Sequence, residues 1–317
     1  MSQGETVRTP STPAPVNADD TLVAASEETT PPAADQPATP QPTTPHPRSG
    51  AWWRALTSEW RLIFTRRRNV LLLAGLAALP LLIGIAVKLY THGDATSLPG
   101  RIAGSGMFLA AVAFAVSMPV FLPIVIAVVA GDSLSGEAQA GTVRYAMIVP
   151  VSRTKWLAMK AAGVFLFVIV AAVVMFVVAL VVGFALFGVR DLTLLSGDTV
   201  GVGNGIARMA GVAVYAILSL TGLCAVGLFI SSLTEVPLAA MAGTALVPVI
   251  STVCVAIPQL AVIQPGLLTY HWLDLTTFLF AQPDWGLLQQ GLWVQAAWVV
   301  IFGALAWARV ASADVTA

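Results

Sequence analysis

The sequence predicts an all-α integral membrane protein: six transmembrane helices preceded by an amphipathic helix in the plane of the membrane. Three observations carry this. The 317 residues are 57% hydrophobic and only 10% charged, with a mean hydropathy of +0.83, whereas soluble domains carry about 25% charged residues. Six apolar runs are each near the ~20 residues that cross a ~30 Å hydrocarbon core as helix. Lysine and arginine gather at alternate ends of those runs.

The first fifty residues hold ten of the twenty prolines, nine threonines, six acids and two bases. Such a stretch cannot bury enough apolar surface to offset its ordering entropy, so residues 1–50 read as a disordered acidic tail. The tail has no basic start followed by an apolar core, so it does not read as a secretory signal peptide.

Residues 52–66 read as the in-plane helix. At 100° per residue Trp52, Trp53, Leu56, Trp60, Ile63 and Phe64 share one face, and Arg54, Thr57, Ser58, Arg61 and Thr65 the other. Indole rings suit the membrane interface and arginines suit anionic headgroups. Arg66, Arg67 and Arg68 then turn the chain into the bilayer.

The spans are predicted near 70–90, 106–131, 158–188, 207–230, 236–258 and 289–308. Backbone polar groups in lipid must be satisfied within the segment, and the alternation of a membrane barrel is missing, so all six read as helices. Pro119 and Pro123 predict a kink or local unwinding in the second. The third is long enough to tilt or project. Residues 259–288, punctuated by proline, read as short helices or a re-entrant segment at the interface. The six-span unit covers 51–310, and 311–317 form a short C-terminal tail.

With the N-terminus inside, the inner flanks carry Arg54, Arg61, Arg66, Arg67, Arg68, Arg144, Arg153, Lys155, Lys160 and Arg309. The outer flanks carry Lys88, Arg101, Arg190 and Arg208. That bias predicts a multi-pass protein of the cell membrane with both termini in the cytoplasm.

Little in the chain suggests catalysis. His46, His92 and His271 are scattered, so no metal site is expected. Cys224 and Cys254 fall in apolar runs and read as small hydrophobes. No nucleophile motif and no phosphate-binding loop occurs. Gly201-Val-Gly203-Asn-Gly205 reads as a flexible outer loop entering the fourth span, not as a nucleotide site. A non-enzymatic protein without a cofactor of its own is expected, one that contacts membrane lipid and no nucleic acid.

The stretch between the second and third spans is richer. It contains Glu137, Gly141-Thr142, Arg144, Pro150-Val151-Ser152-Arg153 and Lys160. An acid, a Gly-Thr pair and a Pro-x-Ser-Arg turn at the membrane edge suit a docking element for a soluble partner. Ser152 is placed to cap the third helix while Pro150 ends the element before it. Glu137 needs a counter-charge, and Arg144 or Arg153 is within reach in sequence.

These residues, in this order and with six spans around them, resemble the coupling region of ABC-2 type transporter permeases. The resemblance covers residues 51–310, including Glu59 ahead of the three arginines; the acidic tail lies outside it. It implies an ABC-2 exporter-like fold and a permease subunit coupled through residues 132–160 to separate ATPase subunits. ATP and magnesium would then sit on the partner chain, and two permeases, identical or similar, would pair. It further implies that the second and fifth spans line a translocation route. Candidate lining residues are Phe114, Met118 and Phe121 on the second, and Met241, Thr244 and Ser251, beside Pro248, on the fifth. Core packing is the alternative for both sets. The rival for the whole chain is a secondary carrier or membrane assembly factor that uses no ATPase.

Overall fold

The computed structural model describes residues 51–90, 98–139 and 152–312. The acidic tail, the stretch 140–151 and the last residues lie outside the described part.

The chain opens with α1 (Ala51–Thr65) and α2 (Arg67–Tyr90). Arg66 bends the backbone between them. Phe64 stacks on Phe167, with ring centroids 5.7 Å apart. Ile63 also packs against the main core, while Arg61 and Thr65 are exposed. For Thr57, Ser58 and residues 60–65 this division agrees with the amphipathic pattern read from the sequence, while the side chains of Trp52, Trp53, Arg54 and Leu56 lie outside the described part.

A short α3 (Leu98–Gly104) leads into α4 (Phe108–Ser117) and α5 (Phe121–Gln139). The break over 118–120 is the one expected at Pro119, which has no N–H to donate to the ladder. However, α5 continues to Gln139. Gly136 and Glu137 are therefore helical, and do not begin the loop. Next come α6 (Arg153–Phe187), a two-stranded hairpin of β1 (Leu192–Thr193) with β2 (Thr199–Val200), and α7 (Val202–Ser219). The hairpin turn places Gly197 at φ 92°, a conformation suited to a residue without a Cβ. The 35 residues of α6 measure about 52 Å, well beyond a ~30 Å core, so this helix projects from it.

Gly203 and Gly205 lie in the opening turns of α7, which corrects the loop expected there. A Cβ on Gly205 would come within 2.9 Å of Met107 Sδ, so the small residue permits close packing. The fourth run is also two helices rather than one. It breaks at Leu220, and α8 (Thr221–Leu233) follows. Gly222 at the break faces Gln295, Leu268 and Trp298, and a Cβ there would crowd all three.

The remaining helices are α9 (Pro237–Val255) and α10 (Trp285–Ser312). Three 3-10 turns join them, Pro258–Leu260, Gln264–Gly266 and Trp272–Leu279, in the region predicted to hold short helices. Among the described residues six helical stretches are long and apolar enough to cross a membrane, counting α7 with α8 as one. The protein is thus an all-α, multi-pass membrane protein by length and composition. Trp285 and Trp307 on α10 are both exposed. Their 22-residue separation is about 33 Å along the helix, which suits two interfacial indoles at opposite faces of a bilayer.

The bundle has a basic end, with the α1–α2 bend, the C-terminus of α5, the N-terminus of α6 and the C-terminus of α10. At the opposite, hairpin end, Lys88 Nζ donates to Leu186 O at 2.7 Å. Arg208 there donates to the carbonyls of Phe278, Phe280 and Ala281. The main core runs through the middle, around Phe114, Met118, Ile126, Phe167, Met175 and Leu223.

Candidate functional site

Arg66, Arg68 and Lys160 of the basic end converge on the last turns of α5. Asp132 is nearly buried, and its Oδ2 accepts from Arg66 Nη1 and from Arg68 Nη2, the latter at 2.7 Å. Both guanidinium groups remain partly exposed, at 45% and 40% of their side-chain surface. A single carboxylate thus holds both sides of the α1–α2 bend. Asn69 reinforces the bend, because its Nδ2 donates to Ile63 O at 2.9 Å.

One turn further on, Glu137 accepts from Lys160 of α6. Lys160 is 4% exposed. An ammonium that deep needs a carboxylate partner. This pair joins the last described turn before 140–151 to the second turn after it, so both ends of that stretch are held together. The sequence reading looked to Arg144 or Arg153 for the partner of Glu137; Arg144 lies outside the described residues, and Lys160 is a partner that reading did not name. Its separation of 23 residues from Glu137 gave no local signal. Arg153 Nη1 donates to Val310 O at 3.3 Å and Ala311 O at 2.9 Å, so it ties α6 to the carbonyl end of α10. Cations favour that end of a helix dipole. Ser152 does occupy the N-cap position of α6, but its side chain makes no capping hydrogen bond. Gly141, Thr142, Arg144 and Pro150 lie outside the described residues.

The end of α5 is held firmly on its other side. Ser231 of α8 accepts from the N–H groups of Leu134 and Ser135, at 3.1 and 3.0 Å, and donates to Gly131 O at 2.6 Å. Gly131 lets α9 approach: a Cβ there would stand 2.7 Å from Met241 Cα. Arg68, Asn69, Asp132, Ser133, Glu137 and Lys160 line a small cavity of about 30 Å³. Leu62, Ile63, Val129 and Val164 complete its lining, and its size and polar groups suit about two water molecules. Among the described residues, Asn69 Oδ1 and Arg68 Nε are buried without a hydrogen-bond partner. Among the described residues, ion pairs at the junction join Arg66, Arg68 and Lys160 to Asp132 and Glu137.

Asp132 and Asn69 were missed in the sequence. The usable signal was an acid five residues before Glu137, still inside an apolar run and opposite an arginine triplet at the same membrane edge.

The candidate lining residues fall in different places. Phe114 and Met118 are fully buried in the main core, and Thr244 is buried with its Oγ1 donating to Ala240 O at 2.8 Å. Ser251 Oγ lies 2.8 Å from Thr269 Oγ1 and accepts from Thr269 N–H at 3.1 Å, anchoring the 3-10 segment. Met241 Sδ is 3.8 Å from Arg68 Nη1. Phe121 is 44% exposed on the bundle surface.

A family model described as Protein of unknown function (DUF2705) matches residues 82–312, and the chain belongs to that family. The match contains Asp132, Glu137 and Lys160 but begins after Arg66 and Arg68. No curated protein matches the chain.

Proposed function

We propose that the chain is the permease subunit of an ATP-binding-cassette exporter in the cell membrane. The junction at the basic end is the place where a separate ATPase subunit drives it. One observation carries the reading. The two ends of the 140–151 stretch are ion-paired to each other through Glu137 and Lys160, and the same turns of α5 hold the α1–α2 bend through Asp132. A push on that stretch would therefore reach α5, α6 and α1 together, as transmission between rigid elements requires.

The charge distribution supports the orientation. Arg66, Arg67, Arg68, Arg153, Lys155, Lys160 and Arg309 share the basic end, and this bias favours an orientation with that end and both termini in the cytoplasm. In that orientation α1 lies along the inner leaflet with its arginines at the headgroups. ATP and magnesium belong to the partner, and two permeases assemble around the route.

The test is purification of the full chain from its native membrane, identification of a Walker-motif ATPase in the complex, and assay of that ATPase. The parent should stimulate ATP hydrolysis. Glu137→Gln combined with Lys160→Met removes the pair without burying a lone ammonium, and should lower that stimulation severalfold while the complex stays intact by size exclusion. Parental stimulation by the double variant would overturn the role given to the pair. An absence of any ATPase partner would overturn the permease reading in favour of a carrier.

A further inference from the structure

A groove of about 380 Å³ opens on the membrane-facing surface between α6, α8 and α10. Small-molecule sites occupy about 300–1,000 Å³. Ala158, Ala161 and Phe165 form one wall, Cys224 and Ala225 the floor, and Gly303 the other wall. The small side chains make it a recess between the three helices.

Its length and position identify the occupant. Along α6 the groove runs from Thr154 to Phe165, about 16 Å. That is the depth of one leaflet of a ~30 Å core. It starts at the basic end, where Trp307 Nε1 donates to Thr154 Oγ1 at 3.1 Å, and ends near mid-bundle. An indole paired with a hydroxyl marks the level of the membrane interface. The adjoining turns carry Arg153, Lys155 and Arg309; Lys155 and Arg309 are exposed. An apolar channel one leaflet deep, with exposed Lys155 and Arg309 in the turns next to its basic end, suits the shape and charge of a phospholipid with an acidic headgroup.

We propose that this groove is a binding site for an anionic phospholipid, with one acyl chain between α6 and α10 and the phosphate at the Lys155–Arg309 rim. The site is independent of the permease reading and stands whatever the protein transports.

Native mass spectrometry of the full chain in detergent tests it, with phosphatidylglycerol and phosphatidylcholine of identical chains as probes. The parent should retain phosphatidylglycerol preferentially. Basic residues near a membrane surface each attract anionic lipid, so Lys155→Ala or Arg309→Ala should each weaken retention of phosphatidylglycerol roughly fivefold and leave phosphatidylcholine unchanged. Gly303→Leu should abolish the adduct, since a Cβ at Gly303 meets nothing within 4 Å and the longer side chain fills the recess. Ala158→Phe, at an exposed wall position, is the second filling variant should the first fail to fold. Gly75→Leu, on α2 with equally open space, should retain lipid like the parent. Equal retention of both lipids by the parent would overturn the proposal, as would an undiminished adduct in both filling variants. A dimer that Gly303→Leu dissociates would assign the groove to a second copy instead.

Discussion

Arg68 Nη2 donates to Asp132 Oδ2 at 2.7 Å, and so ties the first turn of α2 to α5 across 64 residues of chain. Arg66 shares the same oxygen. Asp132 therefore acts as the common anchor of the α1–α2 bend. Removing one arginine leaves the other in place, whereas removing the acid releases both.

The first prediction follows from that asymmetry. Asp132→Asn should destabilise the protein by about 1–3 kcal/mol, below the cost of breaking a fully buried pair because the arginines reach solvent. Arg66→Ala and Arg68→Ala should each cost less. Thermal unfolding in detergent measures this. Equal losses for all three variants would contradict the shared anchor.

Gly106 and Gly183 supply the second. Their backbones touch where the α3–α4 connection crosses α6, and a Cβ on either would overlap the other's carbonyl. Overpacking of this kind costs about 1–3 kcal/mol, so Gly106→Ala and Gly183→Ala should both lower the melting temperature. Gly75→Ala, whose Cβ would meet nothing within 4 Å, should be neutral or gain up to about 1 kcal/mol from helix propensity. Tolerance of Gly183→Ala would disprove the close crossing.

The third concerns pH at the hairpin end. Burial holds the Asp274 carboxyl above its ordinary value of 3.8; the hydrogen bond and charge of His271, with Nδ1 2.6 Å from Asp274 Oδ2, partly offset this, and Asp284 adds to it. A raised folded-state value means that the folded protein holds this proton more tightly than the unfolded chain. The resulting stabilisation is complete below 3.8 and is lost as pH rises through the raised value. Asp274→Asn should therefore flatten the fall in melting temperature across that window. An unchanged pH profile would show that Asp274 does not contribute to it.

Orientation is the fourth. With Cys224 and Cys254 replaced, Asp198→Cys in the β1–β2 turn should react with an impermeant maleimide on intact cells. Gln139→Cys at the end of α5 should react only after permeabilisation. The opposite pattern would reverse the topology and place the junction on the wrong side for a cytoplasmic ATPase.

The helical runs were readable because their cause is local. Twenty apolar residues partition into lipid and close their own backbone hydrogen bonds whatever surrounds them, and Pro119 breaks the ladder it sits in. The break at Leu220 was not readable. No proline marks it, and its glycine is fitted to Gln295 and Trp298, more than 70 residues away. The same limit applied to the site: Glu137 was legible as an acid needing a partner at the membrane edge, but the choice of Lys160 depended on how α6 packs against α5.

Composition and hydropathy by themselves determined a helical protein with six stretches long and apolar enough to cross a membrane, an amphipathic helix before the first and a basic end to the bundle. These properties are sums over neighbouring residues, and water-to-lipid transfer acts on such sums directly. Only the tertiary structure decided that Asp132 takes both arginines, that Lys160 is buried against Glu137 and that Ser251 anchors the 3-10 segment. It also set the small residues of α6, α8 and α10 around one groove. An ion pair or a recess needs atoms within a few ångströms, and in this chain that proximity arises between helices distant in sequence.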